Sequence, residues 1–150
     1  MTSLLIVAHA PLASALKAVA AHTFPEVAGA VQAIDVAPSD TPEQVQARLI
    51  ALLPSDPGAE TLILADVCGG TPCNAAQRVA DGRRVRVVAG VNVPMLWRAL
   101  CYREESLETL ITRALGGATQ GVLQLACVPP LALQAAPTAI DDQVQHHHQQ

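Results

Sequence analysis

Four short apolar runs, each cut off by a polar or glycine-bearing turn and followed by a helical pattern, constrain this chain more than any other feature. The runs are Leu4–Ala8, Val31–Val36, Leu62–Ala65 and Val85–Ala89, and they read as strands. Between them, apolar residues recur at helical spacing: Leu12, Leu16, Val19 and Ala20, then Val45, Leu49, Leu52 and Leu53. Strands alternating with helices predict parallel βαβ units with right-handed crossovers. The expected fold class is therefore α/β, an open and mainly parallel sheet with helices on both faces.

Local signals place the helices. Residues 11–22 read as the first. Thr41-Pro42-Glu43-Gln44 combines an N-cap, a first-turn proline and a glutamine at the third helical position, and opens the second. Thr71-Pro72 opens a third helix that runs through Val79. A fourth follows Asn92 or Val93 to about Tyr102. Leu107, Leu110, Ile111 and Leu115 mark a fifth, which Gly116-Gly117 is expected to close. Gly121–Val128 reads as a last strand. From residue 129 the chain loses any core-forming pattern and ends in His-His-His-Gln-Gln, so residues 1–128 are expected to be one domain and 129–150 a disordered tail.

Composition narrows the function. Apolar residues make up 51% of the chain and aromatics only 2%, so the core must be built from Ala, Val, Leu and Ile. Net charge is −4, and no basic cluster stands out beyond Arg83, Arg84 and Arg86; nucleic acid is not an expected partner. No run approaches the roughly 20 apolar residues of a membrane span, and no secretion signal is visible, so a cytoplasmic protein is expected. Cys68, Cys73, Cys101 and Cys127 are then expected as reduced thiols. Cys68 and Cys73 flank a Gly-Gly-Thr-Pro turn, but further ligands at metal spacing are missing; neither a metal nor a cofactor is expected.

The chemistry converges at the carboxyl ends of the strands, the edge where open α/β sheets bind ligands. The first strand ends at His9. The third ends at Asp66, followed by Val67-Cys68-Gly69-Gly70-Thr71-Pro72, and the fourth leads into Gly90-Val91-Asn92-Val93-Pro94. A histidine in that place can be a nucleophile, a proton carrier or a metal ligand. Asp66 is its natural partner: a carboxylate bound to one ring nitrogen fixes the tautomer and frees the other nitrogen to attack. Gly69 and Gly70 allow close backbone approach, and Thr71 and Pro72 suit the start of a helix whose free N–H groups attract phosphate. The helix after His9 offers a second such terminus. The set reads as nucleophile, orienter and anion cradle. Asp35, Met95 and Trp97 have ordinary readings, as a loop cap and as packing residues.

These residues resemble a known family. Leu5-Ile6-Val7-Ala8-His9, Asp66-Val67-Cys68-Gly69-Gly70-Thr71-Pro72-Cys73-Asn74-Ala75-Ala76 and Val88-Ala89-Gly90-Val91-Asn92-Val93-Pro94-Met95-Leu96 look like the IIA component of the mannose-type bacterial phosphotransferase system. The resemblance covers residues 1 to about 128. It implies that His9 is phosphorylated, that the histidine phosphocarrier protein is the donor, and that a IIB component is the acceptor. It implies a membrane connection only through a transporter complex, and a homodimer that exchanges the strand near Gly121–Val128. Family members often carry an aromatic residue where Cys68 stands. Two rivals remain at this level: a tetrapyrrole metal chelatase using His9 as a ligand, and a sensor that binds an anion without chemistry. The related phosphotransfer subunit of the dihydroxyacetone kinase system shares the histidine, but the Gly-Gly-Thr-Pro-Cys-Asn stretch favours the mannose type.

Overall fold

The computed structural model describes residues 1–127, apart from the side chain of Ala28. Its elements run β1 (Ser3–His9), α1 (Leu12–Thr23), β2 (Val31–Val36), α2 (Pro42–Leu52), β3 (Thr61–Ala65), α3 (Thr71–Val79), β4 (Val85–Ala89), α4 (Val93–Cys101) and α5 (Leu107–Gln120). The four strands are parallel in the order β2-β1-β3-β4.

Both faces of the sheet are covered, and side-chain alternation shows how. Leu4, Ile6, Ala8, Leu62 and Leu64 pack with α1, α4 and α5, burying Leu16, Met95, Leu96, Leu110 and Ile111. Leu5, Val7, Ile63 and Ala65 face the other way, onto Val45 and Leu49 of α2 and Cys73, Ala75 and Ala76 of α3. The period of two along each strand thus divides one apolar run between two cores.

The strand order has a direct consequence for function. From β1 the chain steps to β2 on one side, then crosses back to β3 on the other side of β1. With right-handed crossovers this reversal puts α1 on one face and α2 and α3 on the opposite face. Adjacent strands whose connections leave in opposite directions open a crevice at their carboxyl ends. Here those strands are β1 and β3, which end at His9 and immediately before Asp66.

Two expectations are corrected at the C-terminal end of the fold. Gly116-Gly117 does not close the last helix; α5 continues through both to Gln120, and Gly121 is its C-cap. The reason is packing. A Cβ on Gly117 would overlap the Arg98 side chain and lie 3.0 Å from the Pro94 carbonyl oxygen, so only glycine lets α4 and α5 approach this closely. The strand expected over 121–128 does not form in the single chain: residues 122–127 are neither helix nor strand, and a strand needs a neighbour to pair with. Val128 and the tail 129–150 lie outside the described residues.

The two glycines should respond oppositely to alanine. At Gly116, which sits inside a helix, an added methyl group would meet nothing within 4 Å. Gly116→Ala should raise stability by about 0.5–1 kcal/mol. Gly117→Ala should lower it, by about 1–3 kcal/mol for overpacking a tight contact. Urea unfolding of the two variants measures this; equal effects would contradict the packing assigned to Gly117.

Candidate active site

Asp66 and His9 meet across the crevice between β1 and β3. One carboxylate oxygen of Asp66 accepts the His9 backbone N–H at 2.9 Å and contacts the His9 Nδ1 at 2.7 Å. The other oxygen accepts the Val67 N–H at 2.8 Å. An ionised carboxylate only accepts, so Nδ1 carries a proton, and in the neutral ring the lone pair then lies on Nε2. The His9 side chain is 54% exposed and that of Asp66 only 11%, so the orienting group is enclosed while the ring faces outward. Burial pushes the Asp66 carboxyl up, but the hydrogen bonds from the His9 backbone, the His9 ring and Val67 outweigh it, and the net shift is downward.

The ring lies against the start of α3. A Cβ on Gly70 would fall 2.9 Å from His9 Cε1, 3.6 Å from Nε2 and 3.2 Å from a Val67 methyl. Gly70 therefore serves a close approach, not an unusual backbone angle: its φ is −78°. Gly69 is the residue that needs glycine for conformation, with φ at +90°. The Asn74 side chain donates to the Gly69 carbonyl at 3.2 Å and holds the turn against the first turn of α3.

Sequence propensity makes Thr71 the N-cap of α3, and the structure shifts that role by one residue. Gly70 is the N-cap, Thr71 and Pro72 follow as the first two helical residues, and no side chain caps the helix. Gly70 takes the place because nothing larger fits beneath the imidazole. With no side-chain cap, the first turn of α3 keeps its partial positive charge.

The second expected anion site, at the start of α1, is already filled. Asp35 lies on the same side of β2 as Val31 and Ala33, the side that carries α1, and its Oδ1 accepts the Ser14 N–H at 3.0 Å. Burial raises the Asp35 carboxyl, and bonds from the Ser14 side chain, the Ser14 and Ala13 N–H groups and the charge of Arg48 bring it below its ordinary value. This carboxylate offsets the partial positive charge of the α1 terminus. Asp35, expected as a loop cap, instead accepts from the first turn of α1, 21 residues away in sequence.

The remaining candidates lie elsewhere. The Asn92 side chain caps α4 by accepting the Met95 N–H at 2.9 Å and donates to the Ala118 carbonyl, so it is committed to the α4–α5 contact. Met95 is buried, and Trp97 packs edge-on against Phe24 at a centroid distance of 6.5 Å. His22 is exposed in the last turn of α1, at the opposite end of that helix from the site. Among the described residues, no group of three or more His, Cys, Asp or Glu is gathered to hold a metal, and no helix is long and apolar enough to cross a membrane.

The lowered Asp66 carboxyl carries a pH signature. Its folded value lies below the unfolded value of about 3.9, so the stabilisation is fully present above that value. It is lost as pH falls through the folded value. Asp66→Asn removes this linkage, so wild type should exceed the variant in urea-unfolding stability at pH 7, and the gap should shrink on acidification to about pH 3. A gap that is constant or widens in acid would contradict the assigned hydrogen bonds.

Comparison with known proteins places this arrangement. The family model EIIA-man, described as PTS system fructose IIA component, matches residues 3–115. The mannose-specific EIIAB component of Escherichia coli strain K12 is 36% identical over 110 residues, covering 71% of this chain and 34% of the relative. The chain thus spans about a third of the length of that curated relative. The sorbose-specific EIIA component of Lacticaseibacillus casei is 32% identical over 94 residues, covering 62% of this chain and 67% of the relative. Among solved structures, the mannose/sorbose specific IIA subunit from Enterococcus faecalis superposes with a TM-score of 0.78 at 27% identity, over 85% of this chain and 97% of that one. A four-stranded parallel sheet, a histidine at the end of β1 and the Asp66–Asn74 segment that leads into α3 all fall within the matched region, and the chain belongs to the EIIA-man family of phosphotransferase system IIA components.

Proposed function

We propose that the chain is a phosphoryl carrier of a sugar phosphotransferase system and that His9 is the residue phosphorylated. The observation that carries this reading is the pairing of an exposed imidazole with a largely enclosed carboxylate through Nδ1, at 2.7 Å. Nε2 attacks the phosphorus of a donor phosphohistidine; the new N–P bond forms as the donor N–P bond breaks, and the donor imidazole leaves. Asp66 holds the Nδ1 proton in place and stabilises the positive charge that the phosphorylated ring acquires. The backbone of Gly69, Gly70 and Thr71 at the head of α3 faces the incoming phosphoryl oxygens. An exposed ring at a sheet edge suits exchange between proteins, since two histidines must approach each other through one phosphorus.

The donor in this reading is the histidine phosphocarrier protein, and the acceptor is a IIB component. The name of the Escherichia coli relative joins an A and a B component, which supports that pairing of roles. Incubation with phosphoenolpyruvate, enzyme I and the phosphocarrier should add one phosphoryl group by intact mass. His9→Ala should accept none, and Asp66→Asn should be slower by on the order of 100- to 10,000-fold. Gly70→Val should fold and accept slowly, because its side chain displaces the ring. A phosphorylated His9→Ala protein would overturn the assignment.

We further propose a homodimer formed by exchange of the segment after α5. Val122, Leu123 and Leu125 are 76%, 63% and 78% exposed, and β4 has no strand on its outer edge among the described residues. An unpaired apolar segment and an open strand edge are both hazards unless they cover each other. Deleting residues 122–150 should give a monomer by light scattering, and deleting 130–150 should leave a dimer. A monomeric full-length chain at micromolar concentration would contradict the exchange.

A further inference from the structure

Two thiols flank the turn that touches His9. Cys68 stands two residues before the N-cap of α3, and Cys73 is the third residue of that helix. Both line one groove between α3 and β4, together with Gln77, Val85 and Arg86. The two thiols thus share one groove wall, five residues apart in sequence. Cys68 is exposed and Cys73 buried, so an oxidant in solution reaches only the first. Burial, with Cys68 beside it, holds the Cys73 thiol above its ordinary value, which keeps it protonated and inert until its neighbour is activated.

Four residues separate these cysteines, and they are the functional turn: Gly69, Gly70, Thr71 and Pro72. Gly70 lies so close to the His9 ring that a single added carbon would be 2.9 Å from Cε1. A covalent link between the ends of this turn draws Cys68 onto the first turn of α3 and moves the backbone on which the ring rests.

We propose that Cys68 and Cys73 form a reversible disulfide that switches off phosphoryl acceptance at His9. The oxidant is a peroxide. The Cys68 thiolate attacks a peroxide oxygen, the O–O bond breaks, and Cys68 becomes a sulfenic acid as the leaving oxygen takes a proton and departs as water or an alcohol. The Cys73 sulfur then attacks the Cys68 sulfur, the S–O bond breaks, and the hydroxyl leaves with the Cys73 proton as a second water. Two thiols and one peroxide give one disulfide; the sulfurs lose two electrons and the peroxide gains them. A dithiol reverses the step by thiol–disulfide exchange.

The inference rests on the phosphoryl-carrier reading, and its test separates the two. The full chain is treated with hydrogen peroxide, free thiols are alkylated, and the tryptic peptide containing both cysteines is weighed; transfer from the phosphocarrier is timed on the same sample. The expected result is an unalkylated peptide lighter by two hydrogens, with transfer slowed at least tenfold and restored by dithiothreitol. Cys68→Ser should transfer at the wild-type rate with or without peroxide. Two alkylated cysteines after peroxide, a sulfinic acid at Cys68 without pairing, or a disulfide that leaves transfer unchanged would each overturn the switch. A reduced protein that accepts no phosphoryl group would overturn the carrier reading instead, while the peptide mass still reports the pairing.

Discussion

The Asp66 carboxylate is the tie on which the site depends. It accepts from the backbone and ring of His9 at the end of β1 and from Val67 just beyond β3, so one group fixes two strand ends and one imidazole. The Asp66 carbonyl also accepts the Gly90 N–H, which brings in the end of β4. Three hydrogen bonds to a largely enclosed anion make its charged form the stable one, and the charged form is what orients the ring. Position and electrostatics therefore come from the same atoms.

The fold supplies the place for that tie. Only where neighbouring strands send their connections to opposite faces does a crevice open at the sheet edge, and β1 and β3 are that pair. The β1 alternation then aims His9 to the α3 side, with Leu5 and Val7. Asp35, on the α1 side, occupies the competing helix terminus. Which helix terminus is filled and which stands beside the imidazole thus follows from the parity each residue occupies on its strand.

Much of this was legible in the sequence because strands and helices announce themselves by period. The Leu4–Ala8 and Leu62–Ala65 runs locate the strands, the residues that follow them mark the candidate site, and parallel topology brings His9 and Asp66 to one edge. Contacts between distant residues were less legible. Thr71 looks like the better cap by propensity, yet Gly70 holds the position because the imidazole leaves no room for a side chain. Gly116-Gly117 looks like a helix end, but Gly117 is there for the α4–α5 contact. The link from Asp35 to Ser14 joins residues 21 apart and leaves no local pattern. Residues 122–127 carry a strand-like pattern whose partner is not within the single chain.

The central claim is that Asp66 fixes the proton on Nδ1 and leaves Nε2 as the nucleophile. Two-bond proton–nitrogen correlation spectra of the 15N-labelled protein read this directly, at about pH 9, above the ordinary imidazole range. The account predicts that the neutral His9 ring is protonated at Nδ1, and that Asp66→Asn weakens this preference. A His9 ring protonated at Nε2 in the wild-type protein would turn the lone pair toward Asp66 and contradict the account.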